Sequence, residues 1–179
     1  MESSLGTALI ADAAHVYRQQ KKLAEGAAQQ VNDDQFFETD GPEANSIAII
    51  MKHVGGNLRS RWTDFMNSDG EKPDRNRDGE FVAEQDIRSS IMDAWNEGWQ
   101  RLEQTLAALE ADSLDHTVTI RNEPCTVLQA LMRSLAHTSH HCGQIVHIAK
   151  SRAGSNWKTL SIPRAGSRNA TGNFWTAPK

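Results

Sequence analysis

Residues 126–152, TVLQALMRSLAHTSHHCGQIVHIAKSR, have the pattern of one long amphipathic helix on which the fold depends. His137 and His141 lie one turn apart on this helix, about 130° away from the centre of its apolar stripe. These two histidines therefore either face solvent or line a second cleft. The apolar stripe, which predicts the buried face, consists of Leu128, Leu131, Met132, Leu135, Cys142, Val146 and Ala149.

Two imidazoles four residues apart on a helix can share a metal ion, but tight binding usually needs a third protein ligand from another element. No Glu follows His137 directly, so the segment is not the His-Glu-x-x-His helix of zinc proteases. A solvated, histidine-rich face is the alternative interpretation, because such a pair also arises by chance.

The composition predicts a soluble, cytoplasmic, single-domain protein over residues 1–179. With 38% hydrophobic residues, a chain of this length can bury a substantial core. Cys125 and Cys142 give no disulfide framework, which fits a reducing compartment. The chain has no run of about 20 apolar residues and no basic leader segment, so no membrane partner is expected.

The C-terminal 30 residues are basic, although the chain carries a net charge of −4. Residues 150–179 contain six Lys or Arg and no acidic residue. A nucleic-acid partner is not expected, because these charges are not interleaved with stacking aromatics on a known module. The alternatives are a solvated tail and a pocket for an anionic small molecule.

Three further helices are predicted upstream, at residues 4–25, 45–67 and 83–110. Trp95 and Trp99 are expected to form a core seam in the third of these helices. The intervening segments 26–45 and 68–81 are rich in turn residues and are interpreted as loops.

The segment HTVTIRNEPCTVL, residues 116–128, alternates apolar and polar residues and predicts a short β-hairpin before the last helix. Beyond Arg152 the chain has no periodicity but remains too apolar for free disorder. An ordered C-terminal tail is therefore expected, with these residues against the core: Trp157, Leu160, Ile162, Phe174 and Trp175.

His53 is the candidate for the third ligand. It lies about 130° from the apolar stripe of its own helix, in the same rotational sense as His137 and His141. A shared metal cleft requires this arrangement, although two solvated faces would look the same. Gly55 and Gly56 each weaken the helix by up to about 1 kcal/mol relative to Ala, which indicates close packing or a ligand near His53.

A histidine midway along the second helix, the segment HTSHHCGQI in the last helix, and a charged loop between helices resemble the DinB/YfiT-like metalloenzymes. The segments NSIAIIMKHVGGNLRSRWTDF, DGEKPDRNRD and WKTLSIPRAGS are similar to one uncharacterised branch of that superfamily. The resemblance implies a mostly α fold, an antiparallel four-helix bundle. It also implies that His53, His137 and His141 hold one divalent ion, Zn or Ni, whereas His140 is not a ligand. Cys142 departs from the family, which more often has Arg there.

The resemblance further implies a metal-dependent transferase that uses a low-molecular-weight thiol of the bacillithiol, mycothiol or glutathione class. The absence of an obvious general base beside the histidines favours thiol transfer over hydrolysis. A metal-dependent hydrolase or isomerase, a metal-dependent binding or sensing module, and a structural bundle with surface histidines are the alternatives. The electrophile is not indicated by the sequence.

Two further residues are assigned roles around this site. Gln144 lies one turn beyond His141 on the same face and is expected to orient His141 or a bound water. Arg164, in the segment SIPRAGS, is the first choice for contacts with the anionic groups of a thiol. The other basic candidates for those contacts are Arg59, Arg61, Lys158 and Arg168. Exposed apolar helix faces predict a homodimer.

Overall fold

The computed structural model describes residues 5–166, which are mostly helical. The predicted helical fold and the hairpin before the last helix are both confirmed. Within these residues no helix is long and apolar enough to cross a membrane. The elements are α1 (Leu5–Ala28), α2 (Asp33–Phe37), α3 (Ile47–Trp62), α4 (Arg88–Ala108), β1 (Thr117–Ile120), β2 (Glu123–Thr126) and α5 (Val127–Ala153).

Capping side chains determine where α3 and α5 begin. The Oγ atom of Ser46 accepts a hydrogen bond from the Ile49 amide at 3.2 Å, and α3 starts directly after it. The Thr126 hydroxyl and the Gln129 side chain bind each other's backbone amides, and this reciprocal pair starts α5. The expected end of α3 near residue 67 is wrong, because Thr63 is already extended, with ψ of 126°.

Two other boundaries also differ from expectation. The segment 26–45 is not a continuous loop, since it contains α2, which Asn32 and Gln35 cap reciprocally. Capping boxes of this kind stabilise even a short helix, and turn residues on either side concealed it in the sequence. The helix expected from residue 83 begins only at Arg88, because Ile87 is extended (φ −111°, ψ 157°).

The four long helices contact one another in pairs. Helix α3 packs along α4, α1 packs along α5, and α3 also contacts α5. Trp95 and Trp99 are completely buried with ring centroids 5.3 Å apart, which confirms the core seam. The Trp62 indole donates a hydrogen bond to Ser134 Oγ at 3.3 Å and so links α3 to α5 through the core.

Glycines allow α3 and α4 to approach closely. A Cβ atom at Gly55 would lie 2.7 Å from the carbonyl oxygen of Ala94, and one at Gly98 would lie 2.9 Å from Gly55 Cα. These distances are below any ordinary contact, so both positions require glycine. The predicted close packing at Gly55 is confirmed, and it places the middle of α3 directly against α4.

The β-hairpin is tied to the charged segment 68–81. Arg121 and Asn122 form its turn, with φ values of 55° and 61°, as a two-residue turn of the I′ type requires. The Asp69 carboxylate accepts the backbone N–H groups of both turn residues at 2.8 Å. The segment that was interpreted as a plain loop is therefore anchored to the hairpin.

The described part of the C-terminal segment agrees in part with an ordered tail. Trp157 and Leu160 are partly buried against the core, whereas Ile162 is exposed. Phe174 and Trp175, which were also expected to pack, lie outside the described residues.

Candidate metal centre

The structure brings His53, His137 and His141 together between α3 and α5. The Nε2 atom of His137 lies 3.3 Å from Nε2 of His53 and 3.2 Å from Nε2 of His141. All three potential ligand atoms lie within 4.8 Å of one another. The second faces of the two helices therefore line a common cleft, with His53 only 5% exposed and the other two half-buried.

These distances fit a metal ion. Two nitrogens bonded at about 2.0–2.1 Å to one tetrahedral ion lie roughly 3.3 Å apart. Three imidazoles are also a donor set that suits Zn and Ni. The three histidines could thus hold one metal ion.

Hydrogen bonds to the other ring nitrogens orient two of the three imidazoles. His53 Nδ1 lies 2.9 Å from Glu80 Oε2, and His141 Nδ1 lies 2.7 Å from Gln144 Oε1. Since carboxylate and amide oxygens only accept, Nδ1 donates in both cases and the lone pair is on Nε2. Both lone pairs are therefore available on the nitrogens that face His137.

The environment favours neutral imidazoles, the form that binds a metal. Burial, with smaller contributions from His141 and His53, lowers the pKa of His137 to about 3. Burial also lowers the pKa of His141, although the hydrogen bond to Gln144 opposes this shift. His137 and His141 are thus ready to coordinate near neutral pH.

Glu80 orients His53 and was not identified from the sequence. It lies in a 3₁₀ turn, Asp78–Phe81, and its side chain is buried. Arg75 donates to both of its oxygens, from Nε to Oε1 at 2.8 Å and from Nη2 to Oε2 at 2.7 Å. Burial would raise the pKa of Glu80, but the hydrogen bonds from His53 and Arg75 outweigh it and keep that pKa below its usual value.

One signal in the sequence could have indicated Glu80. Gly56 lies three residues after His53 and therefore on the same side of α3. A Cβ atom there would collide with the Glu80 carboxylate. A glycine beside a candidate ligand marks a place where another chain segment can approach, and in this protein that segment carries the carboxylate.

The remaining candidate residues differ in their positions relative to the three histidines. His140 is exposed, and its ring is beside His141 without joining the group of three. Arg164 is exposed and does not line the cavity beside His53 and His137, so its role stays a prediction. Arg61 does line that cavity, whereas Arg59 forms an ion pair with Asp74 at 3.7 Å.

The fold and these histidines define a mostly helical protein with three imidazoles placed to hold a metal ion. The chain matches, over residues 4–166, the model of the family described as "Protein of unknown function (DUF1572)", and it belongs to that family. A comparison with curated proteins found no match, and a comparison with solved structures found none either.

Proposed function

We propose that this protein is a metal-dependent enzyme of the DinB/YfiT type, in which α1, α3, α4 and α5 form an antiparallel bundle. His53, His137 and His141 would hold one divalent ion, Zn or Ni. The observation that carries the proposal is the convergence of three Nε2 atoms from two helices, with His53 buried and hydrogen-bonded to Glu80. Histidines on a merely solvated face would need neither burial nor a carboxylate partner.

The proposed reaction transfers a group to a low-molecular-weight thiol. A divalent ion bound by the histidines would act as a Lewis acid that lowers the pKa of such a thiol. Glu80, the carboxylate beside His53, is not a free base, because both of its oxygens accept hydrogen bonds from Arg75. A nucleophile that ionises readily, such as a thiol, suits this site better than water does. The cytoplasm predicted by the sequence would keep that thiol reduced.

The metal ligands are tested by three alanine variants. His53→Ala and His141→Ala should lose the bound metal, as measured by inductively coupled plasma mass spectrometry of the purified proteins. His140→Ala is the matched control, since this exposed neighbour should be dispensable. Full retention of the metal in His53→Ala would refute the assignment.

The reaction is tested by turnover. Metal-loaded protein should consume electrophiles only when a thiol is present, in a panel that combines glutathione-class thiols with alkylating and epoxide electrophiles. Loss of an ester or amide substrate without any thiol would indicate a hydrolase. No turnover by a fully loaded site would indicate a metal-dependent binding or sensing module.

A further inference from the structure

A cavity of about 210 Å³ lies beside His53 and His137. Helix α3, the segment 68–81, the hairpin and α5 all contribute to its wall. No Asp or Glu of the described residues lines it. Its lining instead includes five arginines, which are Arg61, Arg75, Arg77, Arg121 and Arg133.

Too few carboxylates neutralise these five guanidinium groups. Within the described residues, only Glu71 and Glu80 form ion pairs with them. Arg77 lies over the Phe81 ring, 5.2 Å from its centroid, and Arg133 has no ion-pair partner in the same residues. The cavity is therefore strongly positive next to a site that would itself hold a cation.

Arg61 has one buried donor for which the described residues provide no acceptor. The residue is only 7% exposed, yet its Nη1 atom is buried and has no hydrogen-bond partner among residues 5–166. Its Nη2 atom is 3.9 Å from Glu71, too far for a hydrogen bond. Buried polar groups are nearly always paired, so an unpaired guanidinium nitrogen of a residue that lines a cavity indicates an acceptor that the described residues do not supply.

The space around Arg61 Nη1 is maintained by glycine. A Cβ atom at Gly70 would lie 2.8 Å from Nη1 and 3.2 Å from Ile120 Cγ1. The Gly70 N–H donates to Thr119 O at 2.8 Å, and its carbonyl accepts from Ser60 Oγ at 3.1 Å. Gly70 is thus fixed by its own hydrogen bonds, and a side chain at this position would occupy the space of the guanidinium.

We propose that this cavity binds an anionic group, carboxylate or phosphate, of the small molecule that reacts at the three histidines. The Arg61 guanidinium donates to that group, and Arg133 and Arg77 add charge. The cavity is smaller than the ~300–1,000 Å³ of pockets that enclose a whole ligand, so it takes the anionic end while the rest extends past His53 and His137. The anion site stands on the arginines alone, whereas the position of the reacting end rests on the proposed function.

The anion could belong to the thiol or to the electrophile, and matched ligands separate these sources. N-acetylcysteine and its amide carry the same thiol and differ in the carboxylate. Isothermal titration calorimetry measures the binding of each thiol to the metal-loaded protein. The same method measures the binding of inorganic phosphate to the metal-free and to the metal-loaded protein. The two series give the contributions of the thiol and of the anion separately.

Phosphate should bind the wild type with or without metal, and more weakly as ionic strength rises. Arg61→Gln should lose about tenfold or more of this affinity, because it removes hydrogen bonds from a charged donor. Arg133→Gln, at an exposed position that tolerates change, should lose about two- to threefold. Arg18→Gln, on the exposed surface of α1, is the matched control and should bind phosphate as the wild type does.

The outcomes distinguish the two proposals. Stronger binding of N-acetylcysteine than of its amide, lost in Arg61→Gln, supports the anion site and assigns the anion to the thiol. Arginine-dependent phosphate binding with equal binding of the two thiols supports the site and assigns the anion to the electrophile. Arginine-dependent phosphate binding without any thiol binding overturns the thiol function alone. Absence of phosphate binding together with equal binding of both thiols overturns the anion site and leaves the thiol function standing.

Discussion

Replacing Gly56 with alanine should weaken metal binding without touching a ligand. The new Cβ atom would collide with the Glu80 carboxylate, whose Oε2 accepts the hydrogen bond from His53 Nδ1. The end of a glutamate side chain can move, so the helix survives and the carboxylate is displaced. The substitution therefore removes the group that orients His53 while it leaves all three histidines in place.

The magnitude follows from two opposing terms. Alanine stabilises a helix by up to about 1 kcal/mol relative to glycine. Displacing Glu80 breaks its charged hydrogen bonds to His53 and Arg75, each worth about 1.5–3 kcal/mol, although Glu71 still pairs with Arg75. Loss of an orienting partner of a metal-binding histidine typically lowers metal affinity by about 10- to 100-fold. We expect a decrease of metal affinity in that range and a loss of stability of about 2–5 kcal/mol, which is the two lost interactions less the gain in helix propensity.

Gly143→Ala provides a matched control. Gly143 lies on α5 two residues after His141, and a Cβ atom there would meet nothing within 4 Å. Competition with a chromophoric chelator measures the metal affinity of both variants, and thermal unfolding of the metal-free proteins measures stability. If Gly56→Ala binds metal as tightly as Gly143→Ala, orientation by Glu80 does not determine the affinity of the site.

Three further outcomes are expected. Gly98→Ala should lower the melting temperature, because its Cβ would press on the Gly55 backbone and overpacking costs about 1–3 kcal/mol; an unchanged melting temperature would contradict the close approach of α3 and α4. Burial would raise the pKa of Asp69, but the N–H groups of Asn122, Glu71 and Arg121 lower it. The ionised Asp69 carboxylate therefore stabilises the folded state above its ordinary pKa of 3.8, and this stabilisation is lost as the pH falls below that value. In urea denaturation between about pH 5 and 3, the wild type should lose more stability than Asp69→Asn. Equal losses in the two proteins would contradict this prediction. The homodimer stays a prediction, and light scattering that gives one 19.8 kDa species at micromolar concentration would contradict it.

Helical periodicity indicated the faces on which the histidines lie, and the resemblance to the DinB/YfiT-like proteins selected His53, His137 and His141. His53, His137 and His141 are each rotated away from an apolar stripe in the same sense, and burying both stripes turns these faces toward each other. The regular helical pattern thus accounts for the positions of the three imidazoles, but not for the other residues of the candidate site.

Periodicity could not predict the partners that come from irregular segments. Glu80 and Arg75 lie in a charged stretch whose path depends on Asp69 binding the hairpin turn, a contact between segments about 50 residues apart. The sequence therefore favoured Arg164, in the basic C-terminal segment, as the cationic group beside the site. The structure instead places Arg61 of α3 beside the histidines. Non-local hydrogen bonds decide such positions, and they leave no repeating signal in the sequence.

The charges of the two neighbouring sites favour an anionic ligand. Three neutral imidazoles add no negative charge to a divalent ion, and the carboxylate of Glu80 acts on it only through His53. Arg75 already binds that carboxylate, so it cannot fully satisfy a second anion without weakening its hold on Glu80. Arg61 and Arg133 make fewer ion pairs, and their positive charge beside a bound divalent ion would be unfavourable until an anion entered. A ligand that binds the metal ion with one group and Arg61 with a negative group would neutralise positive charge at both sites. Anionic small molecules are therefore the class of ligand to screen first.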